Sequence, residues 1–85
     1  MKLGYDWLVE GEAYRYLVSL PKRKRLLLER AFDSLASRPF QPTLYTEQGP
    51  DGSRLDSITA SGHIVTYHVD HAIRRIWVTD IYKIP

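Results

Sequence analysis

Three short segments close to the C-terminal end, Arg54–Ala60, His63–Asp70 and Arg74–Tyr82, are rich in β-branched and aromatic residues and follow one another with breaks of only two or three residues. Segments of that composition read as strands. Breaks that short rule out a parallel arrangement, because parallel neighbours need a crossover of roughly a dozen residues. The three are therefore expected to form an antiparallel meander, with hairpin turns at Ser61–Gly62 and His71–Ala72. Side chains alternate across a strand. Val65, Tyr67 and Val69 should then share the core face, while Ile64, Thr66, His68 and Asp70 share the other. His63 falls on the side opposite His68.

A half-apolar meander needs a layer to cover it, and the upstream sequence supplies two helices. From Glu12 onward Ala13, Tyr16, Leu17 and Leu20 recur at helical spacing, and Pro21 stops the run. Proline disfavours helix in the residue before it yet suits a first helical turn, so Leu20–Pro21 reads as the corner of a helical hairpin. The second helix is expected over Lys22–Ser37, with Leu28, Ala31, Phe32 and Leu35 buried and Arg38–Pro39 ending it. Tyr5–Val9 reads as a short first strand. The stretch from Pro39 to Ser53 is rich in proline and glycine and reads as a loop, with a brief extended piece at Thr43–Tyr45. The prediction is an α+β domain spanning residues 1–85, a short N-terminal strand and a two-helix hairpin packed on a mainly antiparallel, four-stranded twisted sheet.

Composition narrows the function classes. A hydrophobic content of 44% beside a charged content of 26% argues for a folded chain rather than a disordered one. The absence of cysteine excludes a disulfide framework and thiolate metal sites, and makes a cytoplasmic location the expectation. No apolar run has the length of a signal peptide or a membrane span. Net charge is only +2, but the cations cluster, in Lys22, Arg23, Lys24 and Arg25 and again in Arg74 and Arg75. The first run sits at a predicted helix N-terminus, where the macrodipole opposes each cation by roughly 0.3–1 kcal/mol. A phosphate-rich partner accounts for such placement, as does a solvated helix end offset by leucine packing further along.

The order strand, helix, helix, three-stranded meander resembles the toxins of the RelE/ParE superfamily. LVSLPKRKRLLLERAFDSLASRPF is similar to that family's helix–Pro–helix, and SGHIVTYHVD to its glycine-led strand. The resemblance implies the toxin of a type II toxin–antitoxin pair, neutralised by a cognate antitoxin protein and acting at the ribosome as a metal-independent messenger-RNA endonuclease, with no cofactor. Two departures bear on that activity. Ile64 stands where the family carries a strand arginine. Lys83 and Ile84 stand near the family's C-terminal histidine and arginine. The alternative is a gyrase poison like ParE, or a member that has lost cleavage and acts only by binding.

Attack by a 2′-hydroxyl requires a base, an acid for the leaving oxygen and cations around the phosphorane. The candidates are Arg54, His68, Tyr82 and Lys83, expected to form one basic cluster with a proton donor. Lys22, Arg23, Lys24, Arg25, Arg74 and Arg75 are the candidate contacts to RNA or the ribosome. His63, His68, His71 and Asp70 are metal-ligand types, but their strand parity and turn placement argue against a shared ion. Of the aromatic residues, Tyr14 and Tyr45 are the two placed by pattern to stay exposed; Tyr82 is read as either a catalytic group or a packed terminal aromatic.

Overall fold

A computed structural model describes residues 4–85, arranged as β1 (Asp6–Val9), α1 (Gly11–Ser19), α2 (Lys22–Ser37), β2 (Tyr45–Gln48), β3 (Arg54–Ala60), β4 (His63–Asp70) and β5 (Arg75–Lys83). The sheet runs β1-β5-β4-β3-β2. The meander β3–β4–β5 is antiparallel throughout, and β1 lies parallel to β5, with Asp6 opposite Arg75 and Val9 opposite Val78. That parallel pair is possible because both helices lie in the connection between β1 and the meander.

The two helices cover one face of this sheet. Leu28, Phe32 and Leu35 of α2 and Leu17 of α1 pack on Val65 and Tyr67 of β4 and on Ile76 and Val78 of β5, all of them buried. Ala36 joins this core, whereas Ala31 is half-buried. Trp7 locks β1 to α2: its ring meets Phe32 edge-on at 5.1 Å, and its Nε1–H donates to Asp33 at 2.8 Å. The core face is as the alternation of β4 predicts, with Val69 only half-buried near the strand end.

Three departures from the sequence reading have local causes. The sheet has five strands, because Tyr45–Gln48 pairs with β3 from Tyr45↔Ser57 to Gln48↔Arg54. The turn between them is tied by Gly49 N–H to Ser53 O at 2.7 Å, a closure that apolar patterning does not signal in a strand exposed along its whole length. The second hairpin is longer than two residues. The Asp70 carboxylate accepts from the backbone N–H of Ala72 at 3.0 Å, and Arg74 adopts φ +55, so β5 starts at Arg75. The third departure is a bulge in β5. Thr66 faces Asp80 but Tyr67 faces Val78, leaving Thr79 as an extra residue. The bulge shifts the alternation, so that Ile81 returns to the core and Tyr82 is 59% exposed rather than packed.

Candidate functional site

The sheet face away from the helices carries an open cavity of about 780 Å³, lined by Leu55, His68, Asp70, Trp77, Thr79 and Asp80 with Glu10 and Asp51 at its rim. The residue types follow from alternation and from the bulge, which presents Thr79 and Asp80 together on this face. Four of the lining side chains are carboxylates and none is Lys or Arg. The Asp51 carboxyl is held below its ordinary range, chiefly by the Ser53 hydroxyl 2.6 Å away. Arg75, on the neighbouring part of the face, is engaged: its fork meets Asp6 at 3.0 and 3.1 Å, and its guanidinium lies 5.5 Å from the centre of the Trp77 ring. The face is thus acidic and aromatic, and a polyanion entering it meets like charge.

A second, smaller cavity of about 300 Å³ opens where the segment after α2 passes the end of β3 and β4. Pro39, Phe40, Gln41, Thr43, Arg54, Asp56, His68, Val69 and His71 line it. Asp56 is buried and accepts from Arg54 Nε at 3.0 Å and from the Thr46 hydroxyl at 2.7 Å. His68 Nδ1 lies 3.0 Å from the Arg54 carbonyl oxygen. His71 is fixed by the Tyr5 hydroxyl at 2.8 Å and stacks on Phe40, centroids 4.9 Å apart and rings 1° from parallel.

The structure does not gather Arg54, His68, Tyr82 and Lys83 into one cluster. Arg54 and His68 meet at the small cavity, but Tyr82 lies opposite Ile64 and Lys83 opposite His63, at the other end of β4. Ile64 and His68 are four residues apart, a separation of roughly 13 Å along a strand. Lys83 also falls on the helix-covered side with His63. Tyr82 donates to Asp80 at 3.2 Å, and the negative charge of that carboxylate raises its phenol above the usual range. The arrangement separates Arg54 and His68 from Tyr82 and Lys83, the other two candidates.

The cation run Lys22–Arg25 forms the first turn of α2, with no acidic residue in that turn and no side-chain cap. Lys22, Arg23 and Lys24 are exposed, whereas Arg25 is half-buried and reaches Glu29 at 3.6 Å. This run belongs to the helix layer, away from the acidic face. Arg74 is exposed in the second hairpin. His63 is engaged separately, between the Tyr16 hydroxyl at 2.6 Å and the Ser61 carbonyl at 2.8 Å. Among the described residues no group of three or more His, Asp or Glu is spaced to hold a metal ion. No described helix is long and apolar enough to cross a membrane.

Phe40 and Asp56 line the smaller cavity without having been singled out in the sequence. An apolar Phe40 inside a polar, proline-rich loop was the available signal for the first.

The fold has clear relatives among solved structures. A chain of the archaeal RelE–RelB complex from Pyrococcus horikoshii OT3 matches at TM-score 0.72, covering 93% of each chain at 18% identity. A chain of the toxin–antitoxin complex RelBE2 from Mycobacterium tuberculosis matches at TM-score 0.73 and 18% identity, covering 95% of this chain and 99% of that one. No protein-family model and no curated protein matches the sequence. The chain thus shares the fold of these RelE chains, two helices on a mainly antiparallel sheet, as the order of elements implies.

Proposed function

We propose that this chain is the toxin of a type II toxin–antitoxin pair, held by a cognate protein antitoxin, and that it arrests growth by binding a macromolecular target rather than by cutting messenger RNA on its open sheet face. The fold shared with chains of two toxin–antitoxin complexes supports the first half. The observation that carries the second is the acidic cavity: a phosphorane needs cations around it, and the open face offers Glu10, Asp51, Asp70 and Asp80 instead. A gyrase poison is one target of this class.

The test is induced expression with and without an antitoxin reading frame supplied alongside. Growth arrest relieved by the antitoxin is expected, and normal growth despite abundant folded protein removes the toxin assignment. Primer extension on messenger RNA after induction separates the modes of action. No new cleavage ends are expected. Ends at codons in the ribosomal A site overturn pure binding and favour a second reading, ribosome-dependent messenger-RNA cleavage, which the meeting of Arg54 and His68 at the small cavity supports. Under that reading Arg54→Ala and His68→Ala each abolish the new ends, whereas Lys83→Ala, at the far end of β4, leaves them.

A further inference from the structure

We propose that this chain associates with itself head to tail, the cationic outer ridge of α2 in one copy seating in the acidic hollow on the open sheet face of the next. The association belongs to the free chain and does not depend on the toxin reading.

The two surfaces are complementary in make-up. Helical spacing sets Lys22, Leu26 and Arg30 in one row and Arg23 and Leu27 in the row beside it, and these five side chains line one open groove of about 570 Å³. Leu26 and Leu27 are 40% and 44% exposed, while the stripe that α2 turns to the sheet is filled by Leu28, Phe32 and Leu35. The hollow of about 780 Å³ on the far side of the sheet offers the counterpart. It presents Leu55 and Trp77, both half-buried, among Glu10, Asp51, Asp70 and Asp80.

Neither set of charges is matched within the chain. Among the described residues no ion pair engages Lys22, Arg23 or Arg30, and none engages the four acids of the hollow. A polyanion would satisfy the ridge alone, and a cationic peptide the hollow alone. A second copy satisfies both, and the same contact covers the two leucines with Leu55 and Trp77. The buried stripe of α2 faces the sheet, so the ridge points away from the hollow of its own chain. The contact is therefore heterologous. Different patches meet, each copy keeps one ridge and one hollow to offer, and association continues into chains instead of closing as a two-fold dimer. A specific contact at the small end of the usual range covers about 600 Å² a side, roughly a tenth of the chain's 5812 Å² of surface.

Sedimentation velocity of the full, nuclease-treated chain reads the association. At about 0.01 M salt, where the Debye length is about 30 Å, mass should rise with protein concentration; at about 1 M salt, where it is about 3 Å, the monomer should return. Arg23→Glu with Arg30→Glu reverses the ridge, and Glu10→Lys with Asp80→Lys reverses the hollow without touching a residue whose side chain holds a turn. Each pair should weaken self-association at least about tenfold. Arg15→Glu with Arg38→Glu makes the same change in net charge outside the groove and should leave it in place. Mixing the ridge-reversed chain with the hollow-reversed chain should restore assembly, which also shows that both are folded. A chain that stays monomeric at low salt up to millimolar concentration overturns the proposal, and so does assembly that nuclease treatment abolishes. Equal loss in the Arg15, Arg38 control overturns it too, as does a mixture that stays apart although both variants keep the wild-type circular dichroism spectrum.

Discussion

Tyr67 shows how far a single buried group departs from what alternation alone says of it. The ring belongs to the core, fully buried on β4, yet its hydroxyl has no hydrogen-bond partner among the described residues. Burial, with the Asp56 charge adding to it, pushes its phenol up to about 12 from 10.0. The unfolded chain therefore sheds this proton first as pH rises, and stability held below pH 10 falls between about 10 and 12. Tyr67→Phe removes both the orphaned hydroxyl and this titration. The variant should melt at or above the wild-type temperature at neutral pH, because an unmatched buried hydroxyl costs on the order of 1–3 kcal/mol. Its stability should also decline less steeply than wild type in alkaline buffer. A lower neutral Tm in thermal unfolding would show that the hydroxyl is satisfied, for instance by an ordered water. The opposite outcome is expected on β3: Ser57→Ala strands the buried Thr66 hydroxyl, now 2.9 Å from Ser57 Oγ, and should lower stability by roughly 1–2 kcal/mol in denaturant unfolding.

At the scale of elements, the helices and the meander were legible because their periods are long and uninterrupted. The stripe Leu28, Phe32, Leu35 and the alternation Val65, Tyr67 survive intact in the core. What the sequence hid was set by hydrogen bonds instead of apolar burial. Strand β2 is exposed along its whole length and exists because it pairs with β3. The bulge at Thr79 reverses the facing of everything after it, which is why Tyr82 lies on the open face and Lys83 on the helix-covered side, while the antiparallel register sets Tyr82 opposite Ile64, four residues along β4 from His68. Turn type was half legible. Ser61–Gly62 marked a hairpin, and only the backbone shows φ of 50 and 75 at the two positions, the pair that a type I′ turn requires. Gly62→Ala isolates that requirement, since an added Cβ meets no atom within 4 Å. The expected loss is roughly 1 kcal/mol of backbone strain, with the sheet otherwise unchanged. A loss near zero by chemical denaturation would mean that the hairpin tolerates another turn.

Across the whole molecule the charges are sorted by face, a fact hidden by a net charge of +2. The open sheet face gathers Glu10, Asp51, Asp70 and Asp80, while Lys22, Arg23 and Lys24 stand on the helix layer. Any generic RNA affinity of this chain should therefore enter through the helix layer, and the two faces should respond oppositely to neutralisation. Removing cations reduces counterion release, by about 0.7 in the salt slope for each single-strand phosphate that is no longer neutralised. Lys22→Ala combined with Lys24→Ala should thus weaken binding to a short single-stranded RNA and flatten its salt dependence by roughly 1.4. The same variant should be no less stable than wild type, because cations at a helix N-terminus oppose the macrodipole. Asp70→Asn with Asp80→Asn removes repulsion without adding a cation, so affinity should rise at low salt while the slope barely changes. Fluorescence anisotropy across a salt series reads both. If the lysine variant keeps the wild-type slope and the aspartate variant loses affinity, the RNA lies on the sheet face despite its carboxylates, and the acidity of that face no longer speaks against cleavage there.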